Sequence, residues 1–367
     1  MDFKGVDLFN NFYKGKRVLI TGHTGFKGSW LSIWLVMLGA KVIGYGLDPY
    51  TRDDNFVVSK VENKVIDIRG DIRDSARLQE VFTKYKPEIV FHLAAQALVK
   101  QSYTNPKETY EINVMGTLNV LECVKNSGSV KVSIMITTDK CYKNIEQIWG
   151  YREDDPMGGY DPYSSSKGCA EILIDSYRNS FINPKDYKSH GKSIATARAG
   201  NVIGGGDWSR DRIIPDCIKA LEENRDIEMR NPKATRPWQH VLEPLSGYLL
   251  LASLMYEDGV SYCSGWNFGP NDDSIVPVGK IVDTIIKEWG SGKCLDVSSE
   301  NSPHEANLLK LDCTKSKTYL KWSPKLNINE AIKLTVDWYK NFKGGDMLKL
   351  CVNQIESYCD KTSKGVI

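Results

Sequence analysis

Up to about Gly200, short β-branched and aliphatic runs alternate with longer stretches in which apolar residues recur every three or four positions. The runs near Arg17–Thr21, Lys41–Leu47, Lys64–Ile68, Glu88–Leu93, Val132–Thr137 and Ser193–Ala199 read as strands. Trp30–Leu38, Ser75–Tyr85, Lys107–Asn126 and Ser165–Ser180 read as helices, with Gly39 and Gly128 suited to end them. Six strands joined by at least four helical crossovers predict an α/β fold built on a doubly wound parallel sheet. After Gly200 the alternation weakens, and GNVIGGGDW, NPKATRPWQH and SGWNFGPNDD read as loops around a site. Shorter helices at Asp211–Glu223, Pro244–Tyr256, Pro277–Trp289 and Asn329–Tyr339 predict a smaller C-terminal lobe. From about Gly344 to Ile367, a terminal helix and a partly ordered tail fit equally.

Composition narrows the classes of function. A chain of 367 residues is too long for a lone binding module, and 41% hydrophobic with 26% charged residues excludes a mainly disordered one. The formal net charge of +2 supplies no basic field for nucleic acid or an anionic membrane. Nine cysteines with no C-x-x-C pair read as reduced thiols rather than a disulfide framework or a zinc site, so no metal is expected. The polar N-terminus lacks a secretory pattern, which predicts a cytoplasmic protein. Trp30–Ala40, the most apolar window, is about half the roughly 20 residues that span a bilayer and reads as a buried helix.

The chemistry begins at the end of the first strand. Gly22-His23-Thr24-Gly25-Phe26-Lys27-Gly28 is a G-x-x-G-x-x-G turn between strand and helix, where glycines let the backbone approach a pyrophosphate and free amides attract its charge. Asp48, at the end of the second strand, is placed to accept hydrogen bonds from an adenosine ribose, which favours NAD over NADP. Lys27 either neutralises a cofactor phosphate or snorkels into solvent. Asp71, followed by Ile72, lies near an adenine position or caps a helix. Leu93-Ala94-Ala95-Gln96 follows His92, itself a structural strand histidine, and its small residues permit close passage of a cofactor. Tyr163 and Lys167, four residues apart on one helix, share a face, so the ammonium can help the phenol act as a base. At the end of the fifth strand, Thr138 and Asp139 point into the ligand crevice of such sheets. Residues 1–200, completed by about 240–267, therefore read as the dinucleotide-binding domain. Residues 201–240 and 268–345 read as the substrate lobe, and 346–367 as the terminal helix or tail.

These motifs together resemble the extended short-chain dehydrogenase/reductase family. HTGFKGSW, TTDKCYKN, GGYDPYSSSKGCAE, RAGNVIGGGDW and RPWQHVLEPLSGYL are similar to its sugar-nucleotide dehydratases, in particular the branch acting on CDP-glucose. The resemblance implies bound NAD and a nucleotide-sugar substrate that loses one water. Tyr163, aided by Lys167 and Thr138, would take the 4-hydroxyl proton, and Asp139, in its protonated form, would release the 6-hydroxyl. Lys140 stands where dTDP-glucose relatives carry Glu, and a lysine removes the carbon 5 proton only when neutral; a water or another carboxylate is the alternative. By family position Asn201 meets the diphosphate, and Gln96 and Ser102 edge the sugar pocket, with His304 among the substrate residues. Arg212 and Arg236 are candidates to clamp phosphates, or to form structural ion pairs. Trp208 and Trp238 are stacking surfaces or core. The resemblance further implies a homodimer, or a pair of dimers, and a setting in deoxysugar synthesis for lipopolysaccharide O-antigen. Alternatives are another nucleotide-glucose, a 4-epimerase, which needs no elimination acid, and a cofactor-sensing binding protein.

Overall fold

The computed structural model describes residues 9–298 and 308–363. Seven strands form one parallel sheet: β1 (Arg17–Thr21), β2 (Lys41–Gly46), β3 (Ile66–Arg69), β4 (Ile89–His92), β5 (Val132–Ile136), β6 (Ser193–Arg198) and β7 (Gly265–Asn267). Their order is β7-β6-β5-β4-β1-β2-β3, so the chain reverses its direction of winding beside β1 and opens a crevice at the carboxyl ends there. The strands read as unbroken apolar runs because both faces are covered. Val18 and Ile20, Ile89 and Phe91, and Ile134 and Ile136 pack into one core, whereas Leu19, Val90 and Met135 pack into the other. The doubly wound architecture thus follows from strand patterning.

Helix α1 (Phe26–Met37) is apolar nearly all round, as a helix buried between layers must be. Trp30 and Trp34 are fully buried on it, and Trp30 Nε1 donates to Gly205 O at 3.0 Å. No helix among the described residues is long and apolar enough to cross a membrane. Helix α2 (Pro162–Ser180) starts where Asp161 Oδ1 accepts from the Ser164 amide at 2.9 Å and Pro162 sits in the first turn. That cap fixes Tyr163 in the first turn, beside the end of β5.

Several expectations change. The segment SGWNFGPNDD is not all loop, since it contains β7, which pairs with β6 and falls within the 240–267 stretch expected to complete the sheet. GNVIGGGDW and NPKATRPWQH likewise contribute short strands: Val202–Ile203 pairs with Gln239–His240, and Thr235–Pro237 with Ile275–Pro277. Two or three residues carry too little periodicity to be recognised alone. Lys107–Asn126 is helical but not one α-helix, because Glu111–Met115 forms a π-helical turn before Gly116–Asn126. The third strand begins at Ile66, after the one-turn helix Val61–Lys64. The C-terminal ambiguity resolves as helix α4 (Met347–Ser363); earlier in the chain α3 (Leu242–Glu257) packs on β5 and β6 of the sheet.

A buried carboxylate pins that terminal helix. Glu243, on α3, accepts from the backbone amides of Lys325 at 2.8 Å and Leu326 at 2.6 Å, and from the Tyr358 hydroxyl of α4 at 2.7 Å. Burial pushes its carboxyl up to about 7, against the opposing pull of these hydrogen bonds. A carboxyl raised in the folded state binds more protons there than in the unfolded chain, so its contribution to stability is fullest below about 4.3 and is lost as pH rises through about 7. Over that window the loss is about 3 kcal/mol. Glu243→Gln, which imitates the neutral acid, is expected to match the native chain in denaturant titrations at pH 4 and exceed its stability at pH 8.

Candidate active site

On α2, Tyr163, Lys167 and Glu171 follow one another at four-residue steps and so line a single face; all three are buried. Glu171 meets Arg198 of β6 in a two-pronged ion pair, with Nε to Oε1 and Nη2 to Oε2 both at 2.8 Å. Thr137, just past β5, donates to Glu171 Oε1, and Arg198 Nη1 donates to the Tyr142 hydroxyl at 2.6 Å. That hydroxyl donates in turn to Asn267 Oδ1 of β7 at 2.8 Å. Burial alone would raise the Glu171 carboxyl, but Arg198 and the hydrogen bonds hold it below the usual carboxylate range. The pair ties α2 to three strand ends.

Burial pushes the Lys167 ammonium down to about 8, opposed by Glu171 one turn further on. Burial also pushes the Tyr163 phenol up to about 12, opposed by its hydrogen bond to Thr138 and by Arg212. Thr138 Oγ1 donates to Asp139 Oδ1 at 2.9 Å and accepts from the Lys140 amide at 3.3 Å. Asp139 is 1% exposed and packs on Gly200, where a Cβ would come within 1.9 Å of Oδ2. The sequence-derived catalytic residues Thr138, Asp139, Tyr163 and Lys167 therefore stand together, with Lys140 half-buried at their edge.

The glycine turn has the shape of a dinucleotide cradle. Gly22 has φ +74°, and a Cβ there would meet the Ala94 backbone at 2.7 Å; one on Gly28 would meet Gly22 O at 2.1 Å. The α1 N-cap, Gly25, offers no side-chain cap, and the first helical turn holds no acidic residue, so its amides remain available to an anion. Thr24 Oγ1 donates to Leu47 O at 2.9 Å, and Phe26 packs near Gly204. Lys27 is half-buried; burial lowers it to about 8, with Arg212 and Lys167 lowering it further and Asp139 and Asp207 opposing, so its charge is felt at the catalytic cluster. Asp48 is exposed and lies 3.7 Å from Arg69 Nε. Asp71 pairs with Arg73 at 2.7 Å rather than capping the following helix, whose N-cap is Asp74. Ile72 is buried against Gly116, and Leu93 and Ala94 bond to Thr21 through their amides, leading Ala95 into the crevice.

The substrate candidates divide. Asn201, in the left-handed region at φ +48°, brings Nδ2 to 3.5 Å from Asp139 Oδ2. Arg212 donates to Asp207 Oδ2 at 2.7 Å and lowers the Tyr163 phenol, placing its charge beside the cluster. Arg236 Nη1 donates to Thr235 O at 3.0 Å. The Gln96 carboxamide is engaged by Leu98 and Thr109, and Ser102 Oγ by Val99 O, so both side chains are satisfied within the fold. Trp208 and Trp238 are buried core, donating to Asp53 O and Val276 O. His304 lies outside the described residues.

Sequence reasoning missed three groups. Glu171 continues the Tyr163 and Lys167 helical step, a legible signal, but Arg198 gave none. Asn113, in the π turn, donates from Nδ2 to Gln96 O at 3.0 Å and to Ser166 Oγ at 2.9 Å, bracing α2. His23 of the glycine turn is buried over Gly44, its Nε2 2.7 Å from Asp67 Oδ1; a Cβ on Gly44 would strike its ring. His92 is the structural strand histidine expected, held neutral by burial and by Lys167, which take it down to about 3.

A dinucleotide cradle, a buried Tyr/Lys pair and a carboxylate at one strand end define the extended short-chain dehydrogenase/reductase class. Residues 19–335 match the family model described as GDP-mannose 4,6 dehydratase, and the chain belongs to that family. It is 50% identical over 355 residues to a CDP-glucose 4,6-dehydratase of Salmonella typhimurium, covering 96% of this chain and 99% of the relative. The fold is similar to that of a Bacillus anthracis dTDP-glucose 4,6-dehydratase solved in complex with NAD, with TM-score 0.73, 22% identity and coverage of 91% of this chain and 100% of that one. A UDP-glucose 4-epimerase structure matches with TM-score 0.77 and 23% identity, over 90% of this chain and 99% of that one.

Removing one partner of a buried ion pair leaves the other uncompensated. Glu171→Ala is therefore expected to destabilise the fold by about 3–5 kcal/mol, measured by chemical denaturation, and to shift the Lys167 ammonium further below its ordinary value.

Proposed function

We propose that this protein is an NAD-dependent CDP-glucose 4,6-dehydratase, a hydro-lyase that converts CDP-D-glucose to CDP-4-keto-6-deoxy-D-glucose and water. The observation that carries the reading is a buried carboxylate, Asp139, linked by one hydroxyl to the Tyr163 base. Hydride transfer and return at one carbon need only the base, whereas expelling a 6-hydroxyl needs an acid beside it. The near full-length match to the Salmonella relative supports CDP-glucose as the substrate.

The glycine cradle from Gly22 to Gly28 fits the pyrophosphate of NAD, with Asp48 at its ribose and Asp71 and Ile72 toward its adenine. When bound, NAD accepts hydride from carbon 4 of the sugar and returns it to carbon 6. Tyr163 takes the 4-hydroxyl proton, its phenolate favoured by Thr138 and Arg212, with Lys167 one turn along the same helix face. Asp139 gives its proton to the departing 6-hydroxyl. Lys140 is the candidate carbon 5 base. Arg212, Arg236 and Asn201 hold the diphosphate, and Gln96 and Ser102 shape the sugar pocket through backbone position. Residues 1–200, together with the β7 segment, hold the cofactor, and the later lobe holds the nucleotide. Met115, Ile172 and Phe181 expose apolar side chains on the helices around Glu111–Asn126 and α2, which fits pairing with a second copy in a homodimer. The protein acts in the cytoplasm, and its product feeds deoxysugar assembly of the O-antigen type.

Incubation with CDP-, dTDP-, UDP- and GDP-glucose, followed by mass spectrometry, is expected to show loss of one water from CDP-glucose alone. An isomer at unchanged mass would replace this reading with a 4-epimerase. Tyr163→Phe is expected to lower turnover by about 10²–10⁴-fold while NAD binding, read by fluorescence, is retained.

A further inference from the structure

The dehydratase reading carries a proton imbalance. In each cycle Tyr163 gains the proton of the 4-hydroxyl, and Asp139 loses one to the departing water, while the carbon 5 base returns what it takes. The product is a ketone, so nothing gives the Tyr163 proton back. A second turnover requires Tyr163 to lose a proton and Asp139 to regain one, yet Tyr163 is 8% and Asp139 1% exposed.

We propose that Thr138 passes a proton from Tyr163 to Asp139 once in every cycle, resetting both residues without exchange with solvent. This inference rests on the dehydratase reading above. Thr138 Oγ1 donates to Asp139 Oδ1 at 2.9 Å, and the same hydroxyl is within interaction reach of the Tyr163 phenol. Thr138 is itself 6% exposed, and it is held in place as the extended N-cap of the one-turn helix Asp139–Cys141, accepting the Lys140 amide at 3.3 Å. The step balances: the Tyr163 O–H bond breaks as a bond forms to Thr138 Oγ1, and the original Thr138 O–H breaks as one forms to Asp139 Oδ1. No electrons leave the site.

Other routes to Asp139 are poorer among the described residues. Asn201 Nδ2, at 3.5 Å from Oδ2, is an amide donor that does not exchange its proton readily for another. Gln239 lines a small cavity with Asp139 and Gly200, but its Nε2 is committed to Gly200 O and Phe268 O, leaving only an acceptor oxygen to face that space. The Thr138 hydroxyl, by contrast, accepts and donates through one and the same oxygen. Burial raises the Tyr163 phenol, and Thr138 and Arg212 oppose that rise.

The test follows protons and product together. Full-length protein with NAD is mixed with CDP-glucose in weak buffer containing a pH indicator, and Tyr163→Phe with the same substrate supplies the signal due to binding alone. With the internal hand-over, the native enzyme shows no release and uptake of a proton beyond that control while water is lost. Thr138→Val is expected to show both, and to slow steady-state turnover relative to a single turnover by about 10²-fold, with partial rescue by small diffusible acids. Thr138→Ser, which keeps the hydroxyl, is expected to restore the native ratio. A paired release and uptake in the native enzyme would overturn the proposal by showing that solvent resets the site, and so would a native ratio in Thr138→Val. If Thr138→Val performs no turnover or does not fold, the native indicator trace decides alone. No water loss from the native enzyme under any condition would instead overturn the dehydratase reading.

Discussion

The buried ion pair between Glu171 and Arg198 is the constraint on which the site depends. A single charge in that position would be strongly unfavourable, so each partner is locked by the other and by the hydroxyls of Thr137 and Tyr142. Because Glu171 sits one turn beyond Lys167 and two beyond Tyr163, fixing it sets the rotation of α2. Because Arg198 ends β6 and Tyr142 reaches Asn267 of β7, the same pair sets the helix against the strand ends that carry Thr138 and Asp139. The pocket side of the helix is then free to hold a tyrosine and a lysine in water-poor surroundings, where burial pushes the tyrosine's proton affinity up and the lysine's down.

Close packing does the rest of the positioning. At Gly22, Gly28 and Gly200 a Cβ would collide with backbone or with the Asp139 carboxylate, so these glycines allow approaches no other residue permits. Asn113, in the π turn Glu111–Met115, braces α2 through Ser166. The end of the chain is clamped by Glu243, which gathers a loop and the terminal helix onto α3. That helix crosses α1, so the element opening the dinucleotide cradle is buttressed by the end of the chain.

Much of this was legible in the sequence. Strand runs and crossover helices announced the parallel sheet, since burial on both faces demands apolar residues at every position. The glycine turn and the Tyr163 to Lys167 spacing announced a cradle-shaped turn and a Tyr/Lys pair on one helix face, since backbone approach and helical periodicity are local properties. Even the order of the motifs located the crevice, because in a parallel sheet each strand ends at the same side.

What the chain alone did not reveal depends on distant partners. The strand Gly265–Asn267 has three residues and exists because the edge of β6 is there to pair with it. Arg198 looked like the end of a strand until Glu171, 27 residues earlier, came to meet it. The half-burial of Lys27, the satisfied side chains of Gln96 and Ser102 and the Tyr163–Thr138–Asp139 chain of hydroxyl and carboxylate were likewise set by packing between elements far apart in sequence. Local propensity determined which elements form and which residues carry the chemistry; only tertiary burial decided which of those residues face one another, because direction and desolvation are properties of the assembled layers.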